Sequence, residues 1–306
     1  MQVPFFARPR DPTILDAAAW RLVDTRPSAD RRSPRPGRHG RGTGCPPVDH
    51  AALNATLFIG PRTRTSARLE GLRVEATIEQ EGARTWADVQ AWFRLQNPLA
   101  SALPLDAVLQ GLDTTPAAHA VTLTVGGVPQ PLIAQGATNH WRWQTTLPGN
   151  GRLEPLLSYR VPLGDGALAR FRYDLVNGWR RAPGSLRVTL RFPDGLAADQ
   201  LLLARPAGYT FDGHQLTWSF DNRTAVGSLE LLILPSAAWH TIQAAQAAAM
   251  SATASAADHL ALGRWYHRLA LADNSEEATL FERYYPQALA ALAPAYELAP
   301  QLLGYG

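Results

Sequence analysis

Between Leu72 and Pro98 apolar and polar residues alternate in two runs. Leu72, Val74, Ala76 and Ile78 interleave with Arg73, Glu75, Thr77 and Glu79. After a break at Glu81 and Gly82, Val89, Ala91, Phe93 and Leu95 interleave with Gln90, Trp92, Arg94 and Gln96. A period of two sends each apolar set to one side of a pleated strand. Asn97-Pro98 closes the second run, because proline donates no ladder hydrogen bond and disfavours a helical residue before it. The stretch predicts two antiparallel strands with one face on a core and the other in water.

The pattern continues on both sides. Ala55–Ile59 reads as a short lead-in strand, and Leu103–Leu109 and Asn139–Leu147 as further strands. Ala118–Val125 and Val128–Ala134 flank Gly126-Gly127, a loop suited to a tight hairpin turn. Leu156–Leu163 and Ala167–Val176 flank Gly164-Asp165-Gly166, which reads as a second hairpin. Leu186–Phe192 ends at Pro193-Asp194-Gly195, Tyr209–Phe211 and Gln215–Phe220 flank Asp212-Gly213, and Val226–Leu234 closes the set. About ten strands with no helical stretch between them predict a mainly β fold, an antiparallel β-sandwich over residues 51–235.

The period changes after Pro235. Ser236–Ala272 is rich in alanine and in helix formers. Asp273-Asn274-Ser275 interrupts it, and Asn274 with Glu277 resembles a capping box opening a second helix that runs to about Leu298. Residues 236–306 are therefore expected to form an α-helical hairpin.

Charge is unevenly placed. All 29 basic residues are arginine, which reads as the codon bias of a GC-rich gene and leaves no lysine for a Schiff base or a phosphate loop. Residues 1–50 hold nine arginines and five aspartates, and the rest of the chain is close to neutral. A neutral body is a poor match to a phosphate backbone, so nucleic-acid binding is not expected. Arg31, Arg32, Arg35, Arg38 and Arg41 sit among prolines and glycines, which predicts a disordered leader over residues 1–50. Three readings of it stand: a basic interaction tail, a targeting segment, or an upstream extension of the gene model that displaces a signal peptide. No run approaches the roughly 18–20 apolar residues of a membrane span.

Candidate chemistry is sparse. Cys45 is the only cysteine, so an internal disulfide and a thiolate zinc site are excluded. His119, His140 and His214 are scattered singly, and His259 and His267, two helical turns apart, have no third ligand. No metal and no cofactor is expected, and no catalytic residue stands out, since Tyr173-Asp174 and Asp212 belong to no recognisable carboxylate pair. A binding face is the better candidate. Trp141 and Trp143 share one side of a strand and read either as sandwich core or as a platform for a sugar ring or a partner. Arg170, Arg172, Arg180 and Arg181 form a basic cluster that reads as a solvated face or as a patch for an anion or a partner. Trp86, Trp92, Trp179 and Trp218 are expected to be core or half-buried.

Two resemblances rest on these segments. Val74-Glu-Ala-Thr-Ile-Glu-Gln80 and Phe93-Arg-Leu-Gln-Asn97-Pro98 resemble the paired strands of VIT-type and related Ig-like β-sandwich domains of cell-surface proteins. That resemblance implies a non-catalytic, extracytoplasmic module. Leu262-Gly263 with Tyr266, followed by Ala288, Leu292 and Ala295–Pro300, resembles the start and end of a single tetratricopeptide repeat with a long spacing between its halves, which implies a helical hairpin. The expectation is thus a non-catalytic binding or structural module, exported or at the cell surface, with a protein partner. A carbohydrate-binding or carbohydrate-active protein and an intracellular scaffold docking through the tail are the alternatives.

Overall fold

A computed structural model describes residues 55–111, 116–136, 139–164, 167–174, 179, 183–221, 227–272 and 279–299. The strands in chain order are β1 (Leu57–Pro61), β2 (Arg68–Glu81), β3 (Arg84–Gln96), β4 (Leu103–Gly111), β5 (His119–Val125), β6 (Val128–Pro129), β7 (Ile133–Ala134) and β8 (His140–Leu147). They continue with β9 (Arg152–Leu153), β10 (Pro155–Gly164), β11 (Ala169–Asp174), β12 (Ser185–Arg191), β13 (Leu201–Arg205), β14 (Thr210–Phe211), β15 (Gln215–Asp221) and β16 (Ser228–Ile233). Three helices follow: α1 (Ser236–Ala249), α2 (Ala256–Ala270) and α3 (Thr279–Leu298). The protein is mainly β with a C-terminal helical region, as the alternation predicted.

The large sheet runs β14-β15-β12-β2-β3-β10-β5-β6, with β9 on the end of β3. Two smaller sheets, β1-β4-β8-β7 and β11-β16-β13, share its core. The smaller sheets are stitched together where Ala55 N–H donates to the Arg172 carbonyl, beside β1 and β11. Two buried tyrosines hold this seam. Tyr159 Oη donates to the Ala55 carbonyl at 2.7 Å and accepts from Leu57 N–H, while Tyr173 Oη donates to the Leu57 carbonyl. Burial pushes both phenols above the usual tyrosine range, so they remain neutral donors.

β2 and β3 form the predicted hairpin, in register from Arg68↔Gln96 to Glu81↔Arg84. The apolar phase faces inward: Val74, Ala76, Val89, Ala91, Phe93 and Leu95 are all buried. Removing such side chains from water at roughly 25 cal/mol per Å² is what fixes the register, since a one-residue slip would expose every one of them. Asn97 is also buried. Its side-chain amide donates to the carbonyls of Ser101 and Pro148, and its Oδ1 accepts from Leu99 N–H, so the Asn-Pro corner ties the end of β3 to the end of β8.

Several pairings depart from the simple hairpin reading. β12 lies parallel to β2, Leu186 beside Leu72 and Val188 beside Val74. β10 and β11 do not pair: both edges of β10 are taken, by β3 and β5, and β11 pairs with β16 in another layer. The hairpin expected at Gly164-Asp165-Gly166 is therefore not formed by β10 and β11, and residues 165–166 lie outside the described residues. The run expected from Val128 to Ala134 is split by Pro129 and Pro131 into β6 and β7, which join different sheets. β13 went unforeseen.

The helices cover the outer side of the β11-β16-β13 sheet. Leu202, Leu232 and Leu234 pack against Ala238, Ile242, Leu269, Leu280 and Tyr284. The single long helix expected over Ser236–Ala272 is broken, because Ser255 caps α2: its Oγ accepts from Asp258 N–H, and Asp258 Oδ2 accepts from Ser255 N–H. α2 and α3 form the expected hairpin. At their crossing a Cβ on Gly263 would lie 2.5 Å from Leu292 Cγ, so only glycine permits that approach. The Asn274–Glu277 capping signal and residues 1–50 lie outside the described residues. No described helix is long and apolar enough to cross a membrane.

Candidate functional site

Of the two readings of Trp141 and Trp143, core or platform, the structure has the core. On β8 the period-two side carrying Trp141, Trp143 and Leu147 turns inward, and Trp143 is 0% exposed. Trp141 is half-buried and packs on the same core. The fully buried Trp143 cannot meet a sugar or a partner; the apolar face of its strand is needed to close the sandwich.

The arginine cluster is likewise divided. Arg170 points from β11 toward the helices, where its guanidinium pairs with Glu230 at 3.1 Å and donates to the Ala272 carbonyl at the end of α2. Arg205 meets the same Glu230 at 2.7 Å. This triad is largely withdrawn from water and joins sheet to helix, so Arg170 is not a free anion site. Arg172 pairs with Asp174 at 3.5 Å. Arg180 and Arg181 lie outside the described residues.

The outer face of the large sheet presents a different set. Side chains opposite one another across neighbouring strands stand in rows on one face. One row runs Ser219 (β15), Arg187 (β12), Arg73 (β2), Trp92 (β3), Leu156 (β10) and Thr124 (β5). The next runs Asp221, Ser185, Gly71 and Arg94. Between them lies an open hollow of about 430 Å³, walled by Arg73, Trp92, Arg94, Glu154, Ser185, Arg187, Ser219 and Asp221. Gly71 creates it. A Cβ there would sit 2.8 Å from Ser185 Oγ, so any larger residue would displace the hydroxyl and fill the floor.

The guanidinium carbon of Arg73 lies 3.9 Å from the centre of the Trp92 ring. This cation–π contact holds a long side chain in one place. The Arg73 ion pair among the described residues is loose, Nε to Glu75 at 3.8 Å, and Glu75 is also met by Arg191 at 3.3 Å. Arg94 is held by Glu154 at 3.2 Å. Arg187 is exposed and has no ion-pair partner among the described residues.

The same face carries a second such pair, built from Trp86 and Arg160. Arg160 stands 4.9 Å over the Trp86 ring, and His119 meets the ring edge-on at 5.5 Å. Here the cation is answered within the chain by Glu81 and, at 3.6 Å, by Asp88. The Glu81 hydrogen bond raises the Arg160 pKa above the usual arginine value.

Sequence reasoning passed over Trp92 and Arg73 as ordinary strand residues. The signal was present: Trp92 falls in the polar phase of β3, between Gln90 and Arg94, where a large aromatic has no core to enter. No signal announced Arg187 or Ser185, which the parallel pairing brings alongside. Among the described residues no group of three or more histidine, cysteine or acidic side chains could hold a metal ion. Asp212 caps its turn by accepting from His214 and Gln215 N–H, which lowers its pKa.

No family model matches the chain, and no curated protein sequence matches it. Solved structures do. One from Legionella pneumophila, provisionally described as a nutrient binding protein, is 12% identical over 78% of this chain and 97% of its own, with a TM-score of 0.49. An M1 zinc metallopeptidase from Deinococcus radiodurans is 15% identical over 58% of this chain and 43% of its own, with a TM-score of 0.36. Yeast LTA4 hydrolase in complex with bestatin is 10% identical over 62% of this chain and 31% of its own, with a TM-score of 0.33. The chain thus spans less than half the length of either of these last two proteins. At these identities and scores the likeness carries nothing about function.

Proposed function

We propose that this chain is a non-catalytic binding module, working outside the cytoplasm, that engages a protein partner through the outer face of its large sheet. The observation that carries this reading is the hollow at Gly71, where a tryptophan in the polar phase of β3 holds Arg73 beside Arg187, which has no ion-pair partner among the described residues. Tryptophan is enriched at interfaces, where one end of the ring system is apolar and the other wet, and half-buried Trp92 has that setting. The extracytoplasmic setting is inferred from the VIT-type resemblance of Val74–Gln80 and Phe93–Pro98.

The carbohydrate alternative loses its best support. Trp143 is buried, and both tryptophans on the outer face carry an arginine where a sugar ring would stack. The scaffold alternative would have to use the side of the helices away from Leu202, Leu232 and Leu234, which already cover their inner side.

A photo-reactive residue placed at Ser219 or at Met250, in cells that make the protein natively, tests the reading. Ser219 borders the hollow and Met250 is an exposed residue at the end of α1. Protein adducts formed from Ser219 and not from Met250 are expected. Adducts from Met250 alone would overturn the reading in favour of the helical tail. Cell fractionation checks the setting, and a wholly cytoplasmic protein would refute that part.

A further inference from the structure

Building on that reading, we infer that the hollow at Gly71 is a carboxylate receptor for an acidic peptide segment, with Arg73 and Arg187 as its two cations. These arginines face each other across the parallel β2–β12 pair. Like charges directly opposite on one sheet face are destabilising unless an anion lies between them. Arginines at the middle of this face have such an anion: Arg160 has Glu81 and Asp88, Arg191 has Glu75, and Arg94 has Glu154, while Arg68 and Arg84 at the strand ends have none among the described residues and face no second arginine. Arg187 has none among the described residues, and the Arg73–Glu75 distance of 3.8 Å is beyond a hydrogen bond.

Three features suit the pair to a carboxylate. Stacking on Trp92 fixes Arg73 before any ligand arrives, so less side-chain freedom is lost on binding. A guanidinium fork matches the two oxygens of a carboxylate. The glycine floor and the Ser185 and Ser219 hydroxyls leave room and donors around it.

Two further features select a peptide as the source of that carboxylate. Asp221 borders the hollow beside Ser185 and would repel a small, highly charged anion such as phosphate, whereas a peptide offers backbone N–H groups that this carboxylate can accept. An acidic sugar would need the ring face of Trp92, which Arg73 covers.

Fluorescence anisotropy of the full chain with fluorescein-labelled oligo-glutamate tests the inference. Oligo-glutamine of the same length, oligogalacturonate and inorganic phosphate serve as the comparison probes. The double substitution Arg73→Gln with Arg187→Gln should weaken oligo-glutamate binding about tenfold or more, as loss of close charge pairs does. The control is Arg68→Gln with Arg84→Gln, which removes the same charge from β2 and β3 at exposed arginines that have no ion pair among the described residues. It should change binding less than about twofold, as rim charges do.

Equal losses in both variants would mean diffuse attraction, and the inference falls. It falls too if oligo-glutamate binds no better than oligo-glutamine, or if oligogalacturonate or phosphate binds equally well. If the Ser219 adducts persist while oligo-glutamate fails to bind, the face is still a docking surface and only the acidic-peptide assignment is lost.

Discussion

The two tryptophan–arginine pairs on the outer face of the large sheet are built alike and finished differently. Both place a tryptophan of β3 under a guanidinium from a neighbouring strand, Arg160 over Trp86 and Arg73 over Trp92. At the Trp86 end the chain supplies the counter-charge itself, with Glu81 and Asp88. At the Trp92 end it supplies a second arginine, a glycine and two serines. An arginine on an aromatic ring is therefore not by itself a binding feature in this fold. What distinguishes the Trp92 end is that Arg187 has no ion-pair partner among the described residues and Arg73 only the loose one to Glu75, together with the room left by Gly71.

Five changes would break or sharpen that contrast. Ser219→Glu puts a carboxylate opposite Arg187 in register, so oligo-glutamate anisotropy should show a loss of about tenfold, because the site now holds its own anion. Trp92→Ala removes the platform under Arg73 and should cost about three- to tenfold in the same titration, the range of a cation–π contact. The matching Trp86→Ala should leave binding unchanged; if it weakens binding as much, the two ends do not differ.

The converse experiment makes the satisfied end resemble the open one. Glu81→Gln with Asp88→Asn frees Arg160, and calorimetry should then reveal a second, weaker binding event. Its weakness follows from the lack of a second arginine and of a glycine floor. The smallest expected effect is in stability. Arg160→Gln removes the surface ion pairs to Glu81 and Asp88 and the contact on Trp86, so only a small loss of thermal stability, on the order of 1–2 kcal/mol, is expected, with oligo-glutamate binding unaltered.

The pH profile adds a check on the wild-type chain. Guanidinium groups stay charged across the working range. Oligo-glutamate affinity should therefore be flat from neutral to mildly alkaline pH and fall only as the peptide carboxylates protonate below about pH 4–5.

How much of this was readable beforehand differs from place to place. The β2–β3 hairpin, the Gly126-Gly127 turn between β5 and β6 and the change to helix at Ser236 all follow from local pattern, and the structure contains each. The position of Trp92 in the polar phase was equally readable. Trp141 and Trp143 illustrate the opposite case. A strand with a tryptophan at every second position on one side is compatible with a platform or with a core, and burial of Trp143 depends on which sheet closes over it. Arg170 illustrates it again, since its partners Glu230 and Ala272 come from β16 and from the end of α2.

Alternation, turn chemistry and alanine content are properties of neighbouring residues. They suffice to decide that the chain makes amphipathic strands ending in helices, because periodicity acts through local backbone geometry. Partner choice is not local. Only in the folded chain does β12 lie parallel to β2 and set Arg187 beside Arg73, or β10 part from β11. Each strand offers the same apolar face to any neighbour, and the pairing that buries all of them at once is selected by the whole core. The hollow at Gly71 arises in this way, from residues remote in sequence that share one side of a sheet.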